Sequence, residues 1–322
     1  MYHIIDSKDF DELAEAQSGW DMQYRPLSSS QFEGKLEVVQ TDGLQIDIEQ
    51  WGSPIEIAGT SSQEGIAIVL ALNLGEFESY SSAGNKLTTE SIELYDPGSN
   101  IDAVLKPGSS LISCTLSNDL MSAQTNNPAA TLIAEKCTES RLINSTCTDV
   151  SKLVQWLNTV LKVLKSDDIS YSNHQQLIDE TILAVARTLS TGQSAQNLSI
   201  RRRYLLARRA REYMLERKQS PPSITKICNA LHTSERALHY AFNEVYGVSP
   251  KHYIKAQRLF AAYSDLQTAE PLVRVTDIAD HYGFLDMSYF AKDYREMFGE
   301  LPSDTLDKSS NRNATNGDGV IY

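Results

Sequence analysis

The 322-residue chain is long enough for two domains with their own cores. Its 41% apolar and 22% charged residues are those of a globular protein, which excludes a fibrous or wholly disordered chain. The net charge of −13 is uneven, with 11 Lys and Arg against 27 Asp and Glu over residues 1–200 (net −16) and 18 against 15 over 201–322 (net +3), so the overall acidity does not exclude a nucleic-acid partner for the second part.

The opening stretch, "MYHIIDSKDFDELAEAQ", is acidic and lacks an apolar core, so neither a signal peptide nor a membrane anchor is expected. Asp9 to Ala16 predicts a short helix with acidic residues at its start. "LQIDIEQW" (Leu44 to Trp51) alternates as a half-buried strand does. "IAIVLALNL" (Ile66 to Leu74) is the longest apolar run; it has the length of a buried strand, well short of the roughly 18 residues that cross a bilayer. "SIELYDPGS" and "SSLISCTLS" follow, with Asp96-Pro97-Gly98 marking a turn. Several short strands at close spacing predict a barrel or sandwich. Trp20, Trp51 and Tyr80 are read as packing aromatics rather than pocket residues, and no effector-binding residue is assigned. Cys114, Cys137, Cys147 and Cys228 show neither CxxC spacing nor a disulfide framework, as expected of reduced thiols in the cytoplasm.

From about residue 148 the period becomes helical. Leu153, Leu157, Val160, Leu161 and Leu164 share one face, and Leu177, Thr181, Ala184, Val185 and Leu189 share another. These stripes can pack inside the chain or form a dimer interface. "STGQSAQNLS" (Ser190 to Ser199) has linker composition, and "DKSSNRNATNGDGVIY" reads as a disordered tail.

"RRRYLLARRAREYMLERK" predicts an amphipathic helix with a basic outer face and an apolar face of Leu205, Ala207, Met214 and Leu215. Arg208 and Arg209 are its candidate phosphate contacts. Two helix-turn-helix patterns follow in tandem, Ile224 to Phe242 and Val275 to Tyr294. In the first, Ser223 and Ser234 are expected helix caps, His232-Thr233 the turn, and Leu238, Phe242 and Val245 the inner face of the second helix. Its outer edge offers Arg236, His239 and Tyr240 to base edges and Ser234 to phosphate. In the second, Gly283 supplies a left-handed turn and Asp286 a cap. Met287, Ser288 and Lys292 are base-contact candidates, Thr276 and Arg295 phosphate candidates. One long helix, about His252 to Leu266, joins the units. No cofactor motif, metal site or catalytic constellation appears: residues 1–200 hold only His3 and His174, taken to lie outside the strands, and the carboxylates read as a scattered, solvated surface.

"VTDIADHYGFLDMSYFAKDYREMFGELP", the aromatic-Gly-x-x-Pro ending each unit ("YGVSP", "FGELP"), and "IKAQRL" in the connector resemble the AraC/XylS family of bacterial transcription regulators over about residues 205–305. The resemblance implies an α+β chain: an N-terminal β-rich, cupin-like barrel domain with helices, then a C-terminal all-α domain of two helix-turn-helix motifs joined by a connector helix. The expected division is a sensor domain over 1–145, a helical dimerisation or coupling segment over 146–192, a linker over 193–200, the DNA-binding domain over 201–306 and the tail over 307–322. It implies a sequence-specific regulator, an activator, whose partners are double-stranded DNA, RNA polymerase, a second copy as homodimer and a small-molecule effector, with no membrane, cofactor or metal. Two alternatives are a regulator acting through protein contact, as a co-regulator or anti-activator, and a cupin-type enzyme. The chain departs from the family at His232, where glycine is usual, and at Asp286, which places a negative charge where phosphates are expected.

Overall fold

The computed structural model describes residues 2–17, 19–28, 32–165, 171–194, 198–217, 222–269 and 272–317, without side-chain detail for 171–172, 198–201 and 310–317. Strands and helices run β1 (Tyr2–Ser7), α1 (Phe10–Ala16), β2 (Asp21–Pro26), β3 (Gly34–Gln40), β4 (Leu44–Trp51), β5 (Ile55–Thr60), β6 (Gly65–Leu74), β7 (Tyr80–Ser82), β8 (Asn85–Leu87), β9 (Ser91–Tyr95), β10 (Asn100–Leu105), β11 (Ser109–Ser117), α2 (Asn118–Ala123), α3 (Pro128–Glu139), β12 (Leu142–Asn144), α4 (Cys147–Leu164), α5 (Tyr171–Ser190) and β13 (Gln193–Ser194). The helical remainder is α6 (Leu198–Leu215), α7 (Ile224–Ala230), α8 (Glu235–Tyr246), α9 (Pro250–Gln267), α10 (Val275–His281), α11 (Met287–Phe298) and α12 (Pro302–Gly317). The chain divides into two compact units, one of Met1–Tyr24, Glu33–Gly52 and Glu56–Ile200, the other of Arg25–Phe32, Ser53–Ile55 and Arg201–Tyr322.

The first unit is built on two sheets, ordered β1-β3-β4-β11-β6-β9-β12-β13 and β2-β5-β10-β7-β8. Strand alternation gives the larger sheet two different faces. Ile46, Ile48, Ile68, Leu70 and Ile112 point to one side, where they share a core with Ile133 of α3, Leu153 and Leu157 of α4, and Ile182 and Val185 of α5. Each such side chain contributes about 1.5–3 kcal/mol on full burial. The stripes of α4 and α5 are therefore buried within the chain. The face of α5 is rotated from the expected one: Ile178 and Ile182 are buried, while Leu177 and Ala184 are only partly so.

The other side of the larger sheet corrects two expectations. The alternation in β4 predicts a solvated polar face, yet Asp47 and Glu49 are buried. With Glu93 of β9, also buried, they turn toward the smaller sheet rather than forming a scattered, solvated surface. The two sheets close over a small cavity whose lining includes Trp20, read from sequence as plain packing. His3 lies within β1, not outside the strands, its Nε2 3.2 Å from the Ala16 carbonyl.

Two boundaries also differ. Within the expected linker, Gln193 and Ser194 pair with β12, and α6 begins at Leu198; residues 195–197 lie outside the described residues. The expected disordered tail is helical as far as Gly317, with Thr305 and Ser309 of α12 buried; residues 318–322 lie outside the described residues. A second helix-turn-helix ending on an exposed turn leaves its apolar underside open, and α12 covers it.

Candidate nucleic-acid interface

Each helix-turn-helix is closed by the same local chemistry. In the first, Ser223 caps α7 by accepting from the Lys226 N–H (3.2 Å), and Ser234 caps α8 by accepting from the Ala237 N–H (3.2 Å). In the second, Asp286 accepts from the N–H groups of Ser288 (2.9 Å) and Tyr289 (3.1 Å). The charge that looked out of place near phosphates thus satisfies two free donors at the helix start. The turns superpose in their bonding: Thr233 N–H donates to the Cys228 carbonyl and Phe284 N–H to the Ala279 carbonyl, both at 2.9 Å. Gly283 takes φ +70°, and His232, at the equivalent place, takes φ +51°. The glycine missing from the first turn is replaced by a histidine held in the left-handed region, which costs on the order of 1 kcal/mol or more.

The aromatic-Gly-x-x-Pro signature has a physical cause. Gly247 and Gly299 are left-handed caps ending α8 and α11 (φ +69° and +77°). Pro250 and Pro302 then occupy the first turns of α9 and α12, where a missing N–H is harmless. The preceding aromatics pack on the connector. Tyr253 of α9 meets Phe242 and Tyr246 at 5.5 and 5.0 Å between ring centroids; Tyr263, further along α9, meets Phe298 and Tyr294 at 4.4 and 6.2 Å.

On this frame the predicted base-contact residues of α8, Arg236, His239 and Tyr240, are all exposed, Tyr240 at 58%. The Arg236 guanidinium lies 5.6 Å from the Tyr240 ring centroid. At the start of α11, Ser288 is exposed and Met287 half-buried. Lys292 is exposed and lies 3.8 Å from Glu296 on the same helix. Of the predicted phosphate contacts, Ser234, Thr276, Arg208, Arg209 and Arg295 are exposed; Arg208 is 3.4 Å from Glu212. Thr276 does not cap α10: Arg274 stands at that position without a side-chain cap bond and pairs with Asp277 (3.0 and 2.9 Å). The inner face of α6 is Tyr204, Ala207, Ala210 and Met214; Leu205, expected inside, is exposed, and Leu215 is half-buried.

Between the two helix-turn-helix motifs lies an open groove of about 940 Å³, lined by the start of α7, the first half of α9 and the turn into α11. Sequence reasoning assigned no nucleic-acid contact to the residues that line it. Tyr289 (70% exposed) and Leu285 (95%) project at its edge beside the exposed side chains of Lys251 and His252. Lys255 donates to Asp293 (2.8 Å), tying α9 to α11. The Arg258 guanidinium stacks 4.2 Å from the Phe284 ring centroid and donates to the Tyr282 carbonyl; burial pulls its pKa down. The usable sequence signal for Tyr289 was its position two residues after Met287, on the exposed flank of a helix whose buried stripe is Phe290, Tyr294 and Met297.

Comparison with known proteins places this domain. A family described as "Helix-turn-helix domain" matches residues 227–308. The XylDLEGF operon transcriptional activator of Pseudomonas putida is 40% identical over 85 residues, 26% of this chain and 26% of its own length. The probable thc operon regulatory protein of Rhodococcus erythropolis is 32% identical over 102 residues, 31% of each chain. A solved structure of a probable AraC family transcriptional regulator from Rhodopseudomonas palustris is 34% identical, covering 33% of this chain and 97% of that one with a TM-score of 0.32. Over this C-terminal stretch the chain is similar to AraC/XylS-type regulators. It spans about a quarter of the length of the first of these curated relatives. Among the described residues no group of three or more His, Cys, Asp or Glu could hold a metal ion, and no helix is long and apolar enough to cross a membrane.

Proposed function

We propose that this AraC/XylS-type protein is a sequence-specific DNA-binding transcription regulator, an activator, working in the cytoplasm under the control of a small effector taken up by its β-rich domain. The observation that carries the reading is the pair of helix-turn-helix units with matching turns, each seated on one end of a single connector and each leaving a polar helix start exposed. In this reading α8 and α11 enter successive major-groove segments. Arg236, His239 and Tyr240 meet base edges in one segment and Met287, Ser288 and Lys292 in the other, while Ser234, Thr276, Arg208, Arg209 and Arg295 meet phosphates. Lys251, His252 and Tyr289 join the phosphate contacts along the groove between the units. In this reading the sensor segment comes first, the coupling segment next and the DNA-binding part last, from α6 through α12. RNA polymerase and a second copy of the chain complete the partners. Because the stripes of α4 and α5 are occupied within the chain, self-association uses some other surface.

A second reading, regulation by protein contact, draws on the acidic neighbours of two key cations, Glu212 beside Arg208 and Glu296 beside Lys292. Selection of bound duplexes from a random pool, followed by binding to the winner at several salt concentrations, separates the two. A DNA reader enriches a defined sequence and loses affinity steeply with salt. A protein-contact regulator enriches none.

A further inference from the structure

The inner face of the larger sheet carries an unusual row. Pairing aligns Glu93 (β9), Val69 (β6), Ser113 (β11) and Asp47 (β4) directly across four strands. In the adjacent row Glu49 pairs with Leu111. Three buried carboxyls thus face the space between the sheets. Two are tied off. Asp47 accepts from Ser113 (2.9 Å) and Gln45 (3.0 and 3.1 Å). Glu93 accepts from Tyr80 and Tyr95 (both 2.7 Å) and from Ser82, and the Arg141 guanidinium is a nearby counter-charge.

Glu49 differs. It lines the cavity and accepts from Gln17 Nε2 (2.6 Å), but among the described residues the groups acting on it are Gln17, Trp51 and Asp47, none of them a cation. Burying a carboxylate without a counter-charge costs several kcal/mol. Across the same cavity stands Trp20, 9% exposed, with its edge against Tyr95 at 6.4 Å between ring centroids. Its buried indole N–H has no hydrogen-bond partner among the described residues. A buried carboxyl with no cation beside it, two aromatic rings and an unpartnered indole N–H thus belong to the lining of one chamber, which suits a guest that brings a positive charge and an acceptor. Its volume is about 30 Å³, room for about two water molecules. A guest of three or four heavy atoms needs side-chain adjustments to enter.

We propose that the β-rich domain binds a small organic ammonium ion in this chamber, its nitrogen paired with Glu49 and an oxygen substituent accepting from Trp20. This rests on the effector-binding role proposed for the domain and names the chemical class. Sugars and carboxylic acids fit the site poorly: a neutral polyol brings no counter-charge to the carboxyls, and an acid adds another carboxyl beside them.

The test is thermal unfolding of the full chain, without DNA, against a matched series. Ethylammonium and 2-aminoethanol are the probes, ethanol and ethylene glycol their neutral counterparts, and acetate the anion. The amines are expected to raise the melting temperature by about 3 °C at ten times their Kd, and the neutral compounds and acetate to leave it unchanged. Glu49→Gln, which keeps the shape and the bond from Gln17, is expected to remove the response to both amines. Trp20→Phe is expected to weaken 2-aminoethanol more than ethylammonium. No response to either amine in the wild-type chain, an equal response to the glycol, or an undiminished response in Glu49→Gln overturns the proposal. The wild-type comparison of amines with alcohols stands even if a variant does not fold. A gel shift on the same sample reports the DNA-binding reading separately, so either can fail alone.

Discussion

Tyr253 and Tyr263 stand ten residues apart on the connector helix, and each is buried in the aromatic cluster of a different helix-turn-helix unit. At 1.5 Å per residue the two anchor points are about 15 Å apart along the axis. A single helix therefore sets how far apart the two units sit. Lys255 adds a polar tie from the same helix to Asp293 of α11.

Removing either anchor is expected to loosen that spacing. Tyr253→Ala and Tyr263→Ala should each destabilise the C-terminal domain by about 3–5 kcal/mol, as loss of a buried aromatic does. Tyr253→Phe keeps the ring and loses the bond that its hydroxyl accepts from Arg211 Nε (3.2 Å), so it should cost about 1 kcal/mol. Urea unfolding followed by circular dichroism checks all three; near-neutral alanine variants would show that the clusters do not hold the units.

His232 offers a gain rather than a loss. Its φ of +51° is comfortable for glycine and strained for a side chain. His232→Gly is expected to stabilise the domain by about 1 kcal/mol, read as a higher urea midpoint with unchanged slope. Gly247→Ala is the converse: a Cβ there meets nothing within 4 Å, so its expected cost of about 1–2 kcal/mol is purely conformational.

Asp286 has two separable effects. Asp286→Ala should cost about 1 kcal/mol of stability, since the cap bonds to Ser288 and Tyr289 are lost. Asp286→Asn keeps an acceptor and removes the charge, so it should leave stability nearly unchanged and tighten DNA binding at low salt. Parallel unfolding and gel-shift measurements on the two variants separate the roles.

The β-rich domain should respond to pH. Burial pushes Asp47 up to about 6 and Glu49 up to about 7, while hydrogen bonds from Ser113, Gln45 and Gln17 oppose the rise. Both therefore titrate higher in the folded than in the unfolded chain, and the folded state holds the extra protons between about pH 4 and 7. Their contribution is largest below pH 4, is lost as pH rises through about 7, and is flat above. The neighbouring Tyr24 and Cys114, themselves pushed up by burial, stay neutral across that window. Denaturant midpoints of the full chain from pH 5 to 8 should show Glu49→Gln gaining on the wild type as pH rises; a constant difference would mean Glu49 stays ionised throughout.

The helical half was largely legible in sequence because its determinants are local. Ser223, Ser234 and Asp286 announce helix starts, Gly247 and Gly299 announce ends, and 3.6-residue spacing marks the buried faces. The β-rich half was legible as strands but not as surfaces. Alternation in β4 separates two faces; which of them meets water depends on β2, β5 and β10, distant in sequence, and these cover Asp47 and Glu49. Likewise Leu205 and Leu215 have the right character for a buried stripe, but packing selected Tyr204, Ala207, Ala210 and Met214, a face rotated from theirs. Tyr289 and Leu285 escaped notice because large exposed apolar groups carry no periodic signal.

The central claim is that two helices of one rigid domain read one duplex. Hydroxyl-radical footprinting on a duplex recovered by selection tests it most directly, comparing the wild type with Arg236→Ala and Lys292→Ala. Two protected segments are expected on one face, centred about 10 base pairs apart. Arg236→Ala should weaken binding by about 1–3 kcal/mol and relax preference at one base within the first segment. Lys292→Ala should act within the second and, where it meets phosphate, flatten the salt dependence by about one ion. A single protected segment, or a pair that neither substitution disturbs, contradicts the account.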